Sequence, residues 1–514
     1  MTTKPTTGSP LHRPLCPEGK SALGLEAATP CPDTARPWVL AATILASAMA
    51  FIDGSVVYIA LPALQEDLGA NFAALQWVIN AYTLLLGGLI LIGGSLGDQL
   101  GHRRIFIAGL GIFAMASLGC ATAPNVTVLI AARALQGLGA ALLVPQSLAI
   151  IAAAFPKATR GRAIGLWASA SAITTAAGPP LGGLFIDTFD WRGVFWLNLP
   201  LAVVALFLAQ RHILDSRNPR PGPLDWPGGL TAVLGLGALT VGLTGLTEGG
   251  FNEITALAMA ALGMGLMGLF VAIEAKAPNP LMPLTLFSHR AFAGANLMTL
   301  FLYGALGGVL FLLPFDLIER RGLSPSAVGL TLLPFGIIIG LLSRPMGALA
   351  DGIGPRLPLT AGSLLAAAGA GGLALGLDNH WLGVVVPVAI LATGMASVVS
   401  PLTTAVINAA PDTLSGVASG VNNAASRLAG LFAVAGLGTV ANLVFFTQLA
   451  GADLGGYGGG APRFGELPPP DHPARTILEN AFQSAYAMAM GLAAAAAVAA
   501  AAIAQRTYGK RHKG

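Results

Sequence analysis

Charge is what this sequence has least of. Asp, Glu, Lys and Arg make up 10 % of its 514 residues, against roughly 25 % in an ordinary soluble protein. A soluble fold of this length cannot cover its surface with so few charges, so a cytosolic enzyme is excluded. Cysteine is almost missing as well. Cys16 and Cys31 lie in a Thr/Pro-rich N-terminal tail and Cys120 in an apolar run, which makes neither a disulfide framework nor a metal-ligand cluster. No metal is expected, and the thiols read as unpaired in a reducing compartment. There is no G-x-x-x-x-G-K-[ST] phosphate loop, so ATP is not the energy source. The run GMGLMG at 263–268 matches G-x-G-x-x-G, but it sits inside an apolar helix with no strand before it, so no nucleotide cofactor follows. All seven His fall in tails, loops or the ends of apolar stretches, which excludes a buried His relay. The formal net charge of +4 comes with no basic stripe, so nucleic acid is not a partner. No nucleophile–base set stands at membrane depth, and the chain is not expected to be an enzyme.

What remains is apolar: 54 % of the residues, with 67 Gly. This composition, arranged in runs of about 20 residues, is that of an all-α polytopic membrane protein. Fourteen candidate spans run near 38–62, 75–97, 104–123, 125–154, 161–186, 193–211, 226–247, 254–275, 291–317, 326–349, 357–377, 382–408, 415–447 and 477–505. Residues 1–37 hold no apolar run and read as a disordered cytoplasmic tail rather than a cleaved signal. The Gly/Pro-rich break at 448–476 reads as a flexible loop.

The few charges test the count. With the N-terminus in the cytoplasm and strict alternation, five of the 27 Lys and Arg fall outside: Arg192, Arg320, Arg321, Arg463 and Arg475. Arg133 and Arg427 remain within spans, and the other twenty fall inside. That asymmetry is what the positive-inside rule requires, and it places both termini in the cytoplasm. One span more or fewer would scramble it downstream.

The loop after the second span reads GSLGDQLGHR (94–103) and the loop after the tenth reads GALADGIGPR (347–356). Both have the form G-x-L-x-D-x-x-G-x-R and they recur eight spans apart. Two six-span repeats would place them six apart, so two extra spans lie between the halves. The organisation is 6+2+6: a bundle over 38–212, an inserted pair over 226–275, a second bundle over 291–505 and a basic tail at 506–514. Internal repeats of this kind mark secondary transporters.

These loops, together with RALQGLGAA in span 4 and AAGPPLGG in span 5, resemble the major facilitator superfamily. More narrowly, they are similar to its 14-span drug:proton antiporters, the EmrB/QacA-like group. FIDGSVVYIALPALQ in span 1, DWRGVFWLNLP before span 6 and LDWPGG before span 7 extend the resemblance over nearly the whole chain beyond the tail.

Asp53 is the one acid deep in a span. A charge there costs about 3 kcal/mol on insertion scales and is retained when it is paired, protonated or facing a polar cavity. Arg133 is its natural counter-charge. Asp53 precedes Pro62 by nine residues and Arg133 follows Asn125 by eight, so both lie about 12–13 Å below the outer face. Equal depth permits contact. The resemblance implies that this Arg takes part in proton coupling and that the Asp is needed for transport. Gln136, one turn along from Arg133, can share their network. Ser55, Tyr58 and Gln136 are expected to line the substrate cavity; the family pattern has Thr and Asn where Ser55 and Tyr58 stand. Trp38, Trp77 and Trp381 read as interface anchors.

Gly94, Asp98, Gly101, Arg103 and Arg104, with Asp351 and Arg356 in the second repeat, form loops that the resemblance identifies as a conformational latch. Gly permits the close turn, and the arginines can pair with carboxylates or lipid head groups. Gln99 and His102 replace residues that are commonly basic, so this latch carries less charge. In span 5, Gly178 and Gly182 stand four residues apart and let another backbone approach. Pro179 removes a helix hydrogen bond, and Gly183 extends the small face. The resemblance identifies this run as the antiporter motif, carried by exporters.

The expectation is a proton-coupled antiporter that exports small hydrophobic or amphiphilic compounds. Its partners are protons and membrane lipid, with room for a periplasmic adaptor protein. No clear acid sits at mid-depth in spans 9–14, which favours neutral, monovalent or zwitterionic substrates. A uniporter or importer of a specific metabolite on the same fold is the alternative, and the span-5 motif argues against it.

Overall fold

The computed structural model describes residues 34–216, 222–246, 252–411, 414–454, 462–469 and 471–509. The expected tail therefore lies outside the described residues over 1–33, as do 510–514. Among the described residues, fourteen long helices follow one another. The first six are α1 (Arg36–Leu68), α2 (Phe72–Leu100), α3 (His102–Ala121), α4 (Val126–Ala154), α5 (Lys157–Thr188) and α6 (Asn198–His212), the last entered through one turn at Gly193–Trp196. The inserted pair is α7 (Trp226–Thr244) and α8 (Glu253–Glu274). Then come α9 (Arg290–Phe315), α10 (Pro325–Ile353), α11 (Arg356–Ala374), α12 (Val386–Asn408), α13 (Ser415–Leu449) and α14 (Arg475–Tyr508). Wide π turns at Asp316–Arg320 and Trp381–Val385 extend α9 and precede α12. The last helix continues past the expected boundary, through Arg506 of the basic tail, to Tyr508.

Among the described residues, thirteen helical segments are long and apolar enough to cross a membrane. The fourteenth is α5, whose 32 residues are rich in Gly, Ser and Thr. Several starts are set by side chains that accept from the first free amides: Asn71 from Ala74, Asn125 from Val128 and Asn252 from Thr255. The repeat is visible in the backbone. Gly101 ends α2 at φ 105° and Gly354 ends α10 at φ 87°, each donating its amide back into the last turn. A side chain is strained at such φ values, which accounts for Gly at both places.

The two sets of six helices meet chiefly along α5 with α10 and α2 with α13. Helix α7 bridges them. Trp77 Nε1 of α2 donates to Thr244 Oγ1, and Thr439 Oγ1 of α13 donates to the Leu243 carbonyl. Leu84, Leu236 and Leu431 form a small core between α2, α7 and α13. Helix α8 packs on α7 and is otherwise largely exposed.

The halves are joined at the face opposite the repeat loops, hereafter the outer face, the loops marking the inner one. Gly183 abuts the Pro325 backbone, Gly329 abuts Pro179, and Asp187 accepts from the Ser326 amide at 3.0 Å and from its hydroxyl. Between α2, α9, α13 and α14, Phe72, Phe311, Phe315, Phe445, Phe464 and Phe482 form a continuous ring cluster. Phe464 comes from the break expected to be a flexible loop, and here that expectation is corrected. The ring is 1 % exposed, its centroid is 4.5 Å from that of Phe72, and its carbonyl accepts from Gln65 Nε2 at 2.9 Å. An aromatic side chain with an apolar pocket to fill outweighs the turn-forming composition around it. Residues 455–461 of the same break lie outside the described residues.

Toward the inner face a cavity of about 560 Å³ lies between α1, α2, α4 and α5 of the first six helices and α13 of the second, with the segments flanking the inserted pair in its wall. Its lining runs from Asp98, Gly416 and Val417 at loop level to Phe51, Trp167 and Arg427 deep in the spans. The outer half is sealed and the inner half is open.

Candidate functional site: a buried charge network beside an inward cavity

Asp53 and Arg133 meet. The Arg133 guanidinium donates to Asp53 Oδ2 at 2.5 Å, and the exposures of the two residues are 0 % and 1 %. Arg133 also donates to Gln136 Oε1 at 2.6 Å and, through Nε, to the Val78 carbonyl at 3.1 Å. Its guanidinium carbon stands 4.3 Å from the centre of the Tyr82 ring and 5.8 Å from that of Phe195, which adds cation–π attraction. The second carboxylate oxygen, Asp53 Oδ1, accepts from Gln136 Nε2 at 2.7 Å and from Asn198 Nδ2 at 3.2 Å. Ser117 Oγ accepts from the same two amides at 2.8 and 3.3 Å. Residues from α1, α3, α4 and α6 thus share one network in which both carboxylate oxygens are paired, while Asn198 Oδ1 is left buried without a partner; pairing of this kind is the condition for holding charge in an apolar interior.

The network faces the interior of the first six helices, not the cavity. Gln136, expected among cavity residues, is fully buried and both its polar atoms are engaged here. Ser55 is also placed differently from the expectation. Its hydroxyl donates back to Ile52 O at 3.0 Å, and its side chain packs at Gly178. Tyr58 is half-buried, within electrostatic range of both Arg133 and Arg427, and like Ser55 and Gln136 it does not line this cavity. One helix divides the pair from the cavity: Phe51 of α1 lines the open space, and Asp53, two residues on, points into the bundle.

Asn198, Ser117 and Tyr82 escaped the sequence reading. Asn198 had a signal, since it lies within the WLNLP run that carries part of the family resemblance. Ser117 and Tyr82 had none beyond being polar in apolar segments.

The span-5 run connects two contacts. Gly178 and Gly182 face Ser55 and Val56 of α1, in positions where a β-carbon would collide. Gly183 and the Pro179 carbonyl face α10 across the outer seal. The helix that seals the outer face is therefore the one packed on the turn that carries Asp53.

The first repeat loop is pinned to its own half and to the linker that leads to the inserted pair, where Gln99 Nε2 donates to the Gly222 carbonyl at 2.7 Å. His102 Nδ1 pairs with Gln146 Oε1 at 2.7 Å, Arg103 donates to the Gln210 carbonyl at 2.6 Å, and Arg104 Nε lies 3.2 Å from Asp215. Gly101 stands against the same Asp215 carboxylate, and Gly94 lines the cavity. Asp98 is half exposed, 3.6 Å from His102 Nε2, on the cavity wall with the start of α13. In the second repeat Arg356 donates to Gln505 Oε1 at 2.7 Å, and Asp351 is exposed. No group of three or more His, Cys, Asp or Glu suited to a metal ion occurs among the described residues.

Residues 43–434 match the sequence profile described as Major Facilitator Superfamily. The chain is 35 % identical over 405 residues to "Multidrug resistance protein Stp" of Mycobacterium tuberculosis, covering 78 % of this chain and 75 % of that one. It is 33 % identical over 415 residues to "Tetracenomycin C resistance and export protein" of Streptomyces glaucescens, covering 79 % and 76 %. Among solved structures, a bacterial homologue of the human lysosomal transporter Spinster aligns with TM-score 0.67 at 17 % identity, over 93 % of this chain and 98 % of that one. This last likeness is one of fold.

Proposed function

The chain belongs to the major facilitator superfamily, and we propose that it is a proton-coupled antiporter that exports small hydrophobic or amphiphilic compounds across the bacterial cytoplasmic membrane. The observation that carries this reading is the network around Asp53, one helix away from a cavity open to the inner face. Relatives named for drug resistance and export supply the direction.

The mechanism is mutual exclusion. With Asp53 ionised, Arg133, Gln136 and Asn198 hold α1, α4 and α6 together. A proton on Asp53 removes one partner of a buried ion pair, a change worth about 3–5 kcal/mol when made by substitution. Proton and substrate then stabilise opposite conformations, and each shifts the equilibrium only by its differential affinity. Motion on α1 reaches the outer seal through Ser55 and Val56 against Gly178 and Gly182. The bundles 38–212 and 291–505 rock against each other beside the inserted pair 226–275. Closing the inner face brings Asp98 toward the N-terminus of α13, where the helix dipole favours an acid, and makes the repeat loops a latch.

The test is a susceptibility panel of hydrophobic antibiotics, tetracenomycin C included, in a pump-deficient bacterial strain. The wild-type chain raises resistance to part of the panel, and Asp53→Asn, present in the membrane at the same level, does not. Equal resistance from both, or from neither, contradicts the proposal.

A further inference from the structure

Arg427 has no role in the network just described, although like Arg133 it lies well within a span. It lies twelve residues into α13, about 18 Å along the helix from Ser415. Arg133 has Asp53, and Arg320 and Arg321 share Asp316. No carboxylate among the described residues pairs with Arg427, and its Nε is buried without a hydrogen-bond partner. Its guanidinium carbon stands 5.8 Å from the centre of the Phe51 ring, and Phe51 meets Trp167 edge to face at 6.2 Å. All three residues line the deep end of the cavity, while the two acids in the same lining, Asp98 in the last turn of α2 and Asp225 at the start of α7, stand at the inner helix ends. Gly87 of α2 lets the base of the Arg427 side chain come close, since a β-carbon there would lie 3.1 Å from Arg427 Cβ.

A guanidinium kept among apolar spans without an acceptor is costly, and such residues mark ligand sites. Its planar fork matches a carboxylate or sulfonate with two parallel hydrogen bonds. The adjoining Phe51 and Trp167 faces suit a flat apolar body. We propose that Arg427 is the anion-recognition group of the transport cavity, and that the exported compounds are aromatic amphiphiles bearing one acidic group, seated with that group on Arg427 and the ring system against Phe51 and Trp167. This rests on the export reading and narrows its substrate class from neutral, monovalent or zwitterionic compounds to monoanionic ones.

Equilibrium binding separates the two proposals, because it needs neither a gradient nor transport. The probes are 1-pyrenebutyrate and its neutral amide, which share ring and length and differ in charge. They are titrated by fluorescence against the full chain in lipid nanodiscs, with empty nanodiscs subtracted. The wild-type chain binds the carboxylate at least tenfold tighter than the amide. Arg427→Gln loses that preference and leaves amide affinity within twofold, Arg427→Lys retains part of it, and Asp53→Asn leaves it intact. Equal affinity for the two probes in the wild-type chain, no binding of either, or an unchanged preference in Arg427→Gln overturns the assignment. If Arg427→Gln does not fold, the wild-type preference and its reduction in Arg427→Lys decide. A retained preference in a chain that confers no resistance leaves the anion site standing and removes the export reading.

Discussion

Arg133 reaches the Asp53 carboxylate at 2.5 Å in a place where neither side chain meets solvent, and the face of Tyr82 covers the same guanidinium at 4.3 Å. The pair is held from several directions by α1, α2, α3, α4 and α6. Changing its charge state therefore loads several helices at once, which is what a coupling element requires.

Arg133→Lys keeps the charge and loses the fork. A lysine ammonium on a flexible stem cannot reproduce the set of contacts to Asp53, Gln136 and the Val78 carbonyl. Exchange is expected to fall at least tenfold with membrane insertion unchanged, measured by uptake of a fluorescent substrate into inverted vesicles.

Asn198→Ala removes one of the two donors to Asp53 Oδ1 and one of the two to Ser117 Oγ. The loss of hydrogen bonds to a charged group predicts a destabilisation of about 1–3 kcal/mol. Thermal unfolding of the purified protein, with Asn198→Asp as comparison, reads it. An unchanged Tm in Asn198→Ala contradicts a structural share for this side chain.

Gly183→Leu and Gly329→Leu each push side-chain atoms into the backbone of the opposing helix at the outer seal. Both variants are expected to populate the outward-open state, seen as a longer distance between spin labels at the outer ends of α5 and α10. Gly340→Ala, where a β-carbon meets nothing within 4 Å, leaves the distance distribution as in the wild-type chain.

Phe464→Ala vacates the middle of the aromatic cluster. Truncating a buried Phe costs about 3–5 kcal/mol, here taken from the outward-closed state. A cysteine replacing Val434, one of the residues whose carbonyls accept from Gln76 across the seal, is expected to react faster with a membrane-impermeant maleimide in this background.

Much of this was legible before the structure. Helical rise sets depth, so counting residues from Pro62 and Asn125 brought Asp53 and Arg133 to one level, and the spacing of two Asp-bearing loops gave the 6+2+6 order. Rotation about each helix axis was not legible. Lipid and protein interior are equally apolar, so hydrophobic patterning does not say which face of a span meets which. That is why Ser55, Tyr58 and Gln136, expected in the cavity, lie outside its lining, and why Arg427 could be counted but not aimed. Phe464 was hidden for a different reason: its neighbours in sequence favour turns, and its pocket is built by residues more than a hundred positions away as well as by those nearby.

The coupling claim rests on Asp53 carrying the exchanged proton. Its most direct test is substrate-driven proton movement in inverted membrane vesicles, followed with a pH-sensitive dye after adding a compound to which the wild-type chain confers resistance. The account predicts a proton flux from the wild-type chain and none from Asp53→Asn, with both proteins inserted to the same level. An intact flux in Asp53→Asn would contradict it.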